Sequence, residues 1–458
     1  MSLEVIKMEK VTPRTLSGFM ELLPADQLKM ERLLGTLRRV YSLYGFTPLD
    51  TPAIESAEVL LAKGGGETEK QIYRFMKGDS DLALRFDLTV PLAKYVAANY
   101  AKLQFPFRRF QIGKVWRGER AQRGRFREFY QADIDVIGDG KLDIMNEAEI
   151  PSIICRAFTE LGLRDFTIRI NNRKVLGGFF RMHGMSAPAE ILRTIDKLEK
   201  IGAEKVRAIL LEDCGLDESQ AAAVLDFTGF TGTTAEKLAF LEGMCGRDEL
   251  FDEGVRELRT VVEALPGLGV PPERFALDFT IARGLDYYTG TVYETTINSH
   301  PEIGSVCSGG RYDDLAEYYT DRKLPGAGIS IGVTRLFYVL SEQGLLNPEL
   351  EAAPADAIVL PMTEDLGFAA ETATLLRESG IRTQLYTEEK KFKQKLSYAS
   401  KLGIPFAVII GEDEAKSGLV SLKDMRRGEQ ISCAPAEAAE KIKAALAESA
   451  GARLIKEK

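Results

Sequence analysis

Two strand-like segments joined by a short connection constrain the fold of this chain more than any other feature. They are residues 106–118 (PFRRFQIGKVWRG) and 125–137 (RFREFYQADIDVI), and an Arg-rich turn at 119–124 joins them. Consecutive strands with so short a connection pair antiparallel, because a parallel pair needs a crossover of a dozen or more residues. The sequence therefore predicts a core built on an antiparallel sheet.

Helices and further strands flank this predicted hairpin. Before it lies a helix that Asp26 can cap and Gly45 ends, followed by the segment FTPLDTPAIE, whose prolines suit an edge strand or an interface. After it come a helix at 143–161 and the strand FTIRINN. Residues 1–173 are therefore expected to form the first part of an α+β core.

The pattern then changes twice. Residues 174–268 are mostly helical before strands return at FALDFTIA and TVYETTIN, which indicates an insertion domain in a core that continues over 269–345. A second boundary lies near 344–355. Beyond it, strands and helices alternate, which predicts a small α/β domain with parallel strands at 355–458. Three domains fit 458 residues at about 150 residues each.

Residue types that hold metals or form disulfides are scarce. The five cysteines include no C-x-x-C pair and there are only two histidines, which argues against a disulfide framework, a cysteine-ligated zinc site or a His-centred active site. The motifs G-x-x-x-x-G-K-[ST] and G-x-G-x-x-G do not occur, so the usual P-loop and dinucleotide fingerprint are excluded. The chemistry must rest on Arg, Asp, Glu, Gln and Tyr.

Positive charge is concentrated in one stretch. The net charge of −8 argues against a general nucleic-acid coat protein. Residues 102–127, however, contain nine basic side chains and only one acidic side chain, Glu119. Seven of the nine are arginines, whose rigid fork suits bidentate phosphate binding. We therefore favour a polyphosphate or RNA-backbone site over a solvated hairpin face. The nine are Lys102, Arg108, Arg109, Lys114, Arg117, Arg120, Arg123, Arg125 and Arg127.

The second strand of the hairpin has one polar and one apolar face, because side chains alternate along a strand. The polar face holds Gln131, Asp133 and Asp135, and the apolar face holds Ala132, Ile134 and Val136. The polar face predicts either an acceptor-lined cavity for a small cationic or amide-bearing substrate or the exposed side of an antiparallel sheet, and spacing alone leaves both open. RGLDYYTGTVYE and CSGGRYDDL add a tyrosine pair and a Gly-Gly pair that lets backbone approach a ligand closely.

The chain resembles the histidyl-tRNA synthetases, a family of class II aminoacyl-tRNA synthetases. The matching segments, in the family's order, are LRFDLTVPLAKY, VWRGERAQRGRFREFYQADIDVIG, INNRKVLGG, ARGLDYYTGTVYE, SGGRYDDL and GISIGVTR, of which RGLDYY and GGRYD are specific to the histidine enzymes. The resemblance covers most of the chain. It implies a catalytic core at 1–173 and 269–345, a helical insertion that contacts the tRNA acceptor arm at 174–268, and an anticodon-binding domain at 355–458.

The resemblance also implies roles in ATP binding and catalysis. Arg117 would hold the α-phosphate and Glu119 the adenine. Arg125 would reach the γ-phosphate, and Arg335 would stack on adenine and contact the γ-phosphate. Arg283 matches the family's catalytic arginine, which stands where other class II enzymes use a metal ion. Fixed guanidinium groups such as those of Arg117 and Arg283 would stabilise the charge that builds on phosphate oxygens during attack at the α-phosphorus.

A second set of residues would bind histidine. Asp87, Thr89 and Gln131 match positions that grip its amino group. Asp135 and Tyr288 match those that read the imidazole, and Tyr287 lies beside them. A buried Asp and Tyr left unpaired by a wrong amino acid would give strong rejection.

Three positions depart from the family's pattern. Thr334 stands where an acid usually precedes Arg335, Asp314 replaces a usual glycine, and Asp135 sits where many members carry Glu. The first two bear on the orientation of Arg335 and on the local turn.

The implied activity is that of a two-step ligase. Histidine and ATP would give histidyl-adenylate and pyrophosphate, and the histidyl group would pass to the tRNA for histidine. The alternative is a non-catalytic synthetase paralogue such as the regulatory subunit of ATP phosphoribosyltransferase. The expected partners are histidine, its tRNA and a second copy of the chain in a homodimer with Pro52 at the interface, whereas no DNA and no membrane are expected.

Two further expectations concern metal ions and the C-terminal domain. Mg²⁺ would bind mainly through the ATP phosphates, no metal ligands are expected among the side chains, and the expected location is cytoplasmic. The helix after RTQLYT is basic, which predicts either a solvated face or contact with the anticodon. Its lysines are Lys390, Lys391, Lys393, Lys395 and Lys401.

Overall fold

The computed structural model describes residues 10–62, 67–120, 124–186, 188–281, 287–344, 346 and 353–455. The chain divides into two compact units, residues 1–21 with 33–347 and residues 22–32 with 348–458. Within the described ranges, no helix is long and apolar enough to cross a membrane.

The first unit is organised around strands. They are β1 (Thr47–Pro48), β2 (Ile54–Ser56), β3 (Arg74–Lys77), β4 (Ser80–Leu84), β5 (Phe107–Trp116), β6 (Glu128–Ile137), β7 (Phe166–Asn172), β8 (Phe275–Leu277), β9 (Thr291–Ile297), β10 (Cys307–Tyr312) and β11 (Gly326–Gly332). Eight of them form one sheet in the order β1-β5-β6-β11-β10-β9-β7-β8, and the other three form a small sheet in the order β2-β4-β3.

The large sheet confirms the predicted antiparallel core. Strands β5 and β6 pair antiparallel from Phe107↔Ile137 to Trp116↔Glu128, as the short connection requires. The pairs β6–β11, β11–β10, β10–β9 and β9–β7 are antiparallel too, whereas the edge strands β1 and β8 pair in parallel with their neighbours. The proline-containing segment thus supplies an edge strand, where a missing N–H is tolerated.

The helices of the chain up to residue 344 are α1 (Pro24–Leu43), α2 (Ala57–Leu60), α3 (Glu67–Gln71), α4 (Thr89–Asn99), α5 (Met145–Glu160), α6 (Arg173–Met182), α7 (Pro188–Ile195), α8 (Leu198–Ile201), α9 (Ala203–Glu212), α10 (Glu218–Thr228), α11 (Thr234–Glu242), α12 (Glu249–Ala264) and α13 (Val333–Glu342). The predicted cap of α1 is wrong. Helix α1 begins at Pro24, whose fixed φ suits a first helical position, so Asp26 lies inside the first turn and pairs with Lys29.

Helices α6 to α12 occupy the segment predicted as an insertion. Two glycines bring α6 and α12 together: a Cβ at Gly178 would lie 2.5 Å from the Phe251 nitrogen, and one at Gly254 would lie 2.7 Å from the Val175 nitrogen. These helices group with the large sheet in one compact unit, so the limits 174 and 268 stay a prediction.

The second unit is an α/β fold. Its strands are β12 (Ala357–Pro361), β13 (Thr383–Leu385), β14 (Phe406–Ile410), β15 (Val420–Asp424) and β16 (Gln430–Cys433), and its helices are α14 (Gly367–Glu378), α15 (Phe392–Lys401), α16 (Glu412–Ser417) and α17 (Pro435–Ile455). The sheet order is β13-β12-β14-β15-β16. As predicted, β12 pairs in parallel with β13 and β14, and a hairpin of β15 and β16 completes the sheet.

The basic helix of this unit is less basic on its surface than its sequence indicates. Lys395 is buried, and its Nζ donates to the Pro361 carbonyl at 2.6 Å. Its long stem packs inside the unit, so its charge satisfies a strand end and is not available to RNA.

Candidate functional site

The polar face of β6 is buried. Gln131, Asp133 and Asp135 are 7%, 2% and 3% exposed, while Ala132, Ile134 and Val136 on the other face lie in the core at no more than 1% exposure. Of the two structures left open by the spacing, the exposed sheet face is therefore wrong. A strand buried on both faces with three polar side chains on one of them indicates a binding site, because such groups cost free energy unless something pairs with them.

Strand pairing places Arg109 of β5 opposite Asp135 and Gly328 of β11 on its other side. Arg109 is fully buried. Position 328 requires glycine, because a Cβ there would lie 2.4 Å from Asp135 Oδ1. We call Arg109, Gln131, Asp133 and Asp135 the acid face.

Asp135 is held from two sides. The Tyr312 hydroxyl donates to its Oδ1 at 2.6 Å, and Arg109 Nη2 lies 2.7 Å from its Oδ2. Burial raises the pKa of Asp135 to about 6, and the nearby Arg109 charge and the Tyr312 hydrogen bond oppose that rise. These two partners therefore favour the ionised form of Asp135 against the effect of burial.

Its neighbour Asp133 is more strongly perturbed. The pKa of Asp133 is raised to about 7, chiefly by burial and also by the Asp135 charge, although the Arg109 charge opposes the rise. Asp133 Oδ1 and Gln131 Oε1 are buried and accept no hydrogen bond from any described residue. Unpaired buried acceptors indicate that a hydrogen-bond donor belongs beside them, and an amino group or a ring N–H would supply one.

Asp87 and Thr89 stand at the start of α4. Asp87 Oδ1 accepts hydrogen bonds from the backbone nitrogens of Thr89, at 3.1 Å, and Val90, at 2.9 Å. Burial raises the pKa of Asp87, and these hydrogen bonds together with the charges of Arg117 and Arg109 oppose the shift. The carboxylate is therefore fixed in position beside the acid face, as a group that grips a cation must be.

Three tyrosine rings pack beside these carboxylates. The ring centroids of Tyr287 and Tyr288 are 5.1 Å apart, and those of Tyr287 and Tyr312 are 5.7 Å apart, both edge to face. A Cβ at Gly310 would lie 3.1 Å from the Tyr288 ring, so the Gly-Gly pair lets this ring approach the sheet. Burial raises the pKa of Tyr288 far above neutral, so its phenol keeps its proton.

Arg117 connects these carboxylates to a second group. Its Nε donates to the Phe86 carbonyl at 3.2 Å, and its guanidinium lies 4.4 Å from the centre of the Phe86 ring and 5.2 Å from that of Phe129. Burial lowers the pKa of Arg117, while Asp87 and Glu119 oppose that shift. The two rings and the carbonyl hold the cation in one place, which phosphate binding requires.

Glu119, Arg125 and Arg335 complete that group, and with Arg117 we call it the arginine cluster. Arg125 Nη1 lies 3.3 Å from Glu119 Oε2. Arg335 donates to the carbonyls of Ser305, at 3.1 Å, and Ile303. Burial lowers the pKa of Arg335, Arg125 lowers it further and Glu119 opposes both. Because the Arg125 charge acts on Arg335, an anion beside the two guanidinium groups would be favoured.

The structure gives a physical reason for two departures from the family's pattern. The Thr334 hydroxyl accepts a hydrogen bond from the Tyr130 nitrogen at 2.8 Å, so this residue ties α13 to β6. Asp314 has φ −107°, which any residue adopts, so no glycine is needed there. Arg335 therefore keeps its position through backbone carbonyls and without an acid at 334.

The composition of the basic stretch predicts one phosphate-facing patch. In the structure, several of its side chains instead pair with acidic residues. Arg109 is buried against Asp135, Arg108 lies 2.5 Å from Glu149 and Lys114 lies 2.6 Å from Glu128. Of the basic residues that the structure describes in this stretch, Arg117 and Arg125 belong to the arginine cluster. Alternation along β5 could have separated Arg108 from Arg109, but burial of one and not the other depends on distant segments.

The structure brings most of the predicted site residues together. Asp87, Thr89, Gln131, Asp135, Tyr287 and Tyr288 lie around the acid face, and Arg117, Glu119, Arg125 and Arg335 lie in the arginine cluster. Arg283 and Arg123 lie outside the described residues. Sequence reasoning missed Arg109 and Tyr312 as partners of Asp135.

Comparisons with known proteins agree with this arrangement of fold and site. The family profile described as Histidyl-tRNA synthetase matches residues 18–336, and that described as Anticodon binding domain matches residues 356–445. The antiparallel sheet with its fixed arginines is that of a class II aminoacyl-tRNA synthetase. A Histidine--tRNA ligase of Clostridium tetani is 53% identical over 438 residues, which are 96% of this chain and all of that protein. The chain belongs to the histidyl-tRNA synthetase family.

Solved structures place the fold in the same family. The histidyl-tRNA synthetase of Nostoc sp. PCC 7120 superposes with a TM-score of 0.87 at 43% identity, covering 95% of this chain and 99% of that one. A Bacillus halodurans protein described as an ATP phosphoribosyltransferase regulatory subunit/histidyl-tRNA synthetase superposes with a TM-score of 0.73 at 20% identity, covering 88% of this chain and 99% of that one, a likeness of fold alone. The ligases are the better match, so the regulatory-subunit alternative is not favoured.

Proposed function

We propose that this chain is a histidine–tRNA ligase that activates histidine with ATP and transfers it to the tRNA for histidine. The observation that carries the proposal is the pairing of a buried face of unpaired acceptors, at Gln131 and Asp133, with fixed arginines next to it. The buried acceptors fit a small substrate that carries an amino group and a ring N–H. The fixed arginines fit a polyphosphate.

The arginine cluster supports the roles assigned to ATP contacts. In the activation step the histidine carboxylate attacks the α-phosphorus, and negative charge builds on the phosphate oxygens. Arg117 would meet that charge without reorganising, because two aromatic rings and a carbonyl already hold it. Arg125 and Arg335 would bind the γ-phosphate. Glu119 would hold the adenine, and the guanidinium plane of Arg335 would stack on it. Arg283 is proposed as the second catalytic arginine.

The acid face and its neighbours support the roles assigned to histidine. The fixed Asp87 carboxylate, with Thr89 and Gln131, would bind the ammonium group. Asp135 and Tyr288 would bind the two sides of the imidazole, and Tyr287 packs on Tyr288. A wrong amino acid without a ring N–H would leave the buried Oδ2 of Asp135 without a hydrogen-bond donor, and this penalty gives rejection.

Mg²⁺ is proposed to arrive with ATP. Among the described residues there is no group of three or more His, Cys, Asp or Glu side chains that could hold a metal ion. The phosphates are proposed as its main ligands because Mg²⁺ in nucleotide sites is usually held by substrate phosphates and water rather than by an all-protein cage, and the ion would neutralise part of their charge.

The proposed partners are tRNA and a second copy of the chain. They are inferred from the family, from the lysines of the second unit and from the exposed Pro52. The second unit, which matches an anticodon-binding domain, would bind tRNA through the predicted lysines in and just before α15 other than Lys395, namely Lys390, Lys391, Lys393 and Lys401. A homodimer is proposed with Pro52, which is exposed next to the edge strand β1, at the interface. A cytoplasmic location, without DNA or membrane partners, completes the proposal.

Charging of tRNA tests the whole proposal. Purified chain, ATP and labelled histidine should transfer label to a transcript of the tRNA for histidine and not to a transcript for another amino acid. Transfer that needs no ATP, or equal labelling of both transcripts, would contradict it.

A further inference from the structure

A fully buried arginine lies at the base of the acid face without a full set of partners. Arg109 has no exposed surface, and its Nη2 donates to the Leu88 carbonyl at 3.0 Å. Its Nε and Nη1 are buried and make no hydrogen bond to any residue that the structure describes. An arginine that served only to fill the core would be a poor choice, because each unpaired N–H costs free energy.

The contact between Arg109 and Asp135 is an ion pair without a hydrogen bond. Nη2 and Oδ2 are 2.7 Å apart, yet within the described part of the chain Oδ2 accepts no hydrogen bond. The other oxygen, Oδ1, accepts from the Tyr312 hydroxyl. Tyr312 therefore fixes the carboxylate, Arg109 neutralises part of its charge, and Oδ2 keeps its capacity to accept from a ligand.

We propose that Arg109 is a positioning residue for histidine recognition, which keeps Asp135 ionised and leaves its Oδ2 as the acceptor for an imidazole N–H. This inference rests on the proposed function. An ionised carboxylate accepts the N–H of a neutral imidazole in a charge-assisted hydrogen bond, whereas a protonated carboxyl loses much of that acceptor strength. Arg109 would act through Asp135 and would not touch the substrate.

The charges around Asp135 show why a cation is needed. Asp87 raises the pKa of Asp135, and Asp135 in turn raises the pKa of its neighbour Asp133. Arg109 and Tyr312 act in the opposite direction. Among the residues that the structure describes, the groups that face Asp135 are Arg109 on β5, Asp133 on β6, Tyr312 on β10, Asp87 before α4 and Tyr288 before β9. Without Arg109, Asp135 would face two acids and two phenols.

The test uses Arg109→Gln and Arg109→Lys in histidine-dependent pyrophosphate exchange. Gln should raise the KM for histidine about 10- to 100-fold, the range for a hydrogen bond to a charged group, and leave the KM for ATP nearly unchanged. In the pH profile of kcat/KM for histidine, the acidic limb should shift to higher pH by about one unit or more. The reason is that removing an opposite charge close to an acid changes the pKa of that acid by this amount. Lys keeps the charge and should restore the position of that limb.

Arg108→Gln is the matched control. Arg108 neighbours Arg109 on β5, points to the other face and pairs with Glu149. Its loss should lower stability without moving the pH profile for histidine.

A double-mutant cycle covers the case in which Arg109→Gln does not fold. Arg109→Gln with Asp135→Asn removes both buried charges together, and if Arg109 acts through Asp135 it should bind histidine no more weakly than Asp135→Asn alone. A further loss of tenfold or more in the double variant would overturn the inference. A folded Arg109→Gln with the histidine KM and pH profile of the unmodified chain would also overturn it, whereas absence of exchange in the unmodified chain would instead sink the proposed function.

Discussion

The acid face and the arginine cluster belong to one site but meet solvent differently. Gln131, Asp133 and Asp135 are almost completely buried, whereas Arg125 is exposed and Arg335 is partly buried. In the arginine cluster, backbone carbonyls and aromatic rings hold the charges, so their effect depends on position. In the acid face, burial opposes ionisation, because it raises the pKa of Asp133 to about 7 and that of Asp135 to about 6. Burial also lowers the pKa of Arg117 and Arg335, but it leaves an arginine charged, so position matters most in the arginine cluster and desolvation matters most in the acid face.

The largest effect is expected from removing a fixed charge. Arg117→Ala should lower the rate of pyrophosphate exchange at saturating substrates by about 10²- to 10³-fold, the cost of losing one preorganised contact to a charged transition state. The KM for histidine should change little. Steady-state kinetics against Arg120→Ala, an exposed arginine of the same connection, measures the difference. Equal rates in the two variants would remove Arg117 from catalysis.

The next effect concerns the packing that supports the acid face. Gly328→Ala would place a Cβ 2.4 Å from Asp135 Oδ1 and 2.3 Å from the Ile134 carbonyl oxygen. Overpacking of this kind should lower the free energy of unfolding by about 1–3 kcal/mol. Denaturant titration checks this, with Gly35→Ala as the control. Nothing lies within 4 Å of a Cβ at that helical position, so alanine there should raise stability by about 0.5–1 kcal/mol. Equal changes for both glycines would contradict the crowding at Asp135.

A comparable effect should depend on pH. The pKa of Asp133 is about 7 in the folded chain against 3.8 ordinarily, so the folded state binds more protons between these values and stability falls as the pH rises through that window. Asp133→Asn should flatten this dependence and raise stability above pH 7 by an amount on the order of 2 kcal/mol. Thermal unfolding at pH 5 and pH 8 measures it. A steeper dependence in the variant would show that the carboxylate is stabilised in its charged form.

The smallest effect is expected at the exposed end of the site. Arg125→Gln breaks a 3.3 Å ion pair with Glu119 whose arginine is 46% exposed. Solvent screens such pairs, so the free energy of unfolding should change by less than about 0.5 kcal/mol while the KM for ATP rises. A loss of more than about 1 kcal/mol would mean that the two halves of the site do not differ as described.

The sequence predicted the arginine cluster more completely than the acid face. Arg117, Glu119 and Arg125 lie close together in the chain, so their proximity follows from a single hairpin, and only Arg335 joins the defined cluster from a distant helix, α13. The environment of Asp135 depends instead on Tyr312, which is 177 residues away, and no local pattern reports such a contact. Spacing could place Gln131, Asp133 and Asp135 on one face but could not tell whether other segments cover it. Lys395 shows the same limit, since its burial is set by a strand 34 residues earlier.

Exchange of labelled pyrophosphate into ATP, measured with each of the twenty amino acids in turn, is the sharpest test of this site. We expect exchange with histidine alone, because its imidazole N–H and its ammonium group together pair with the buried acceptors while the arginine cluster binds ATP. Exchange supported equally by another amino acid would contradict the role of the acid face. The absence of exchange with every amino acid, in a well-folded chain, would contradict the assigned activity.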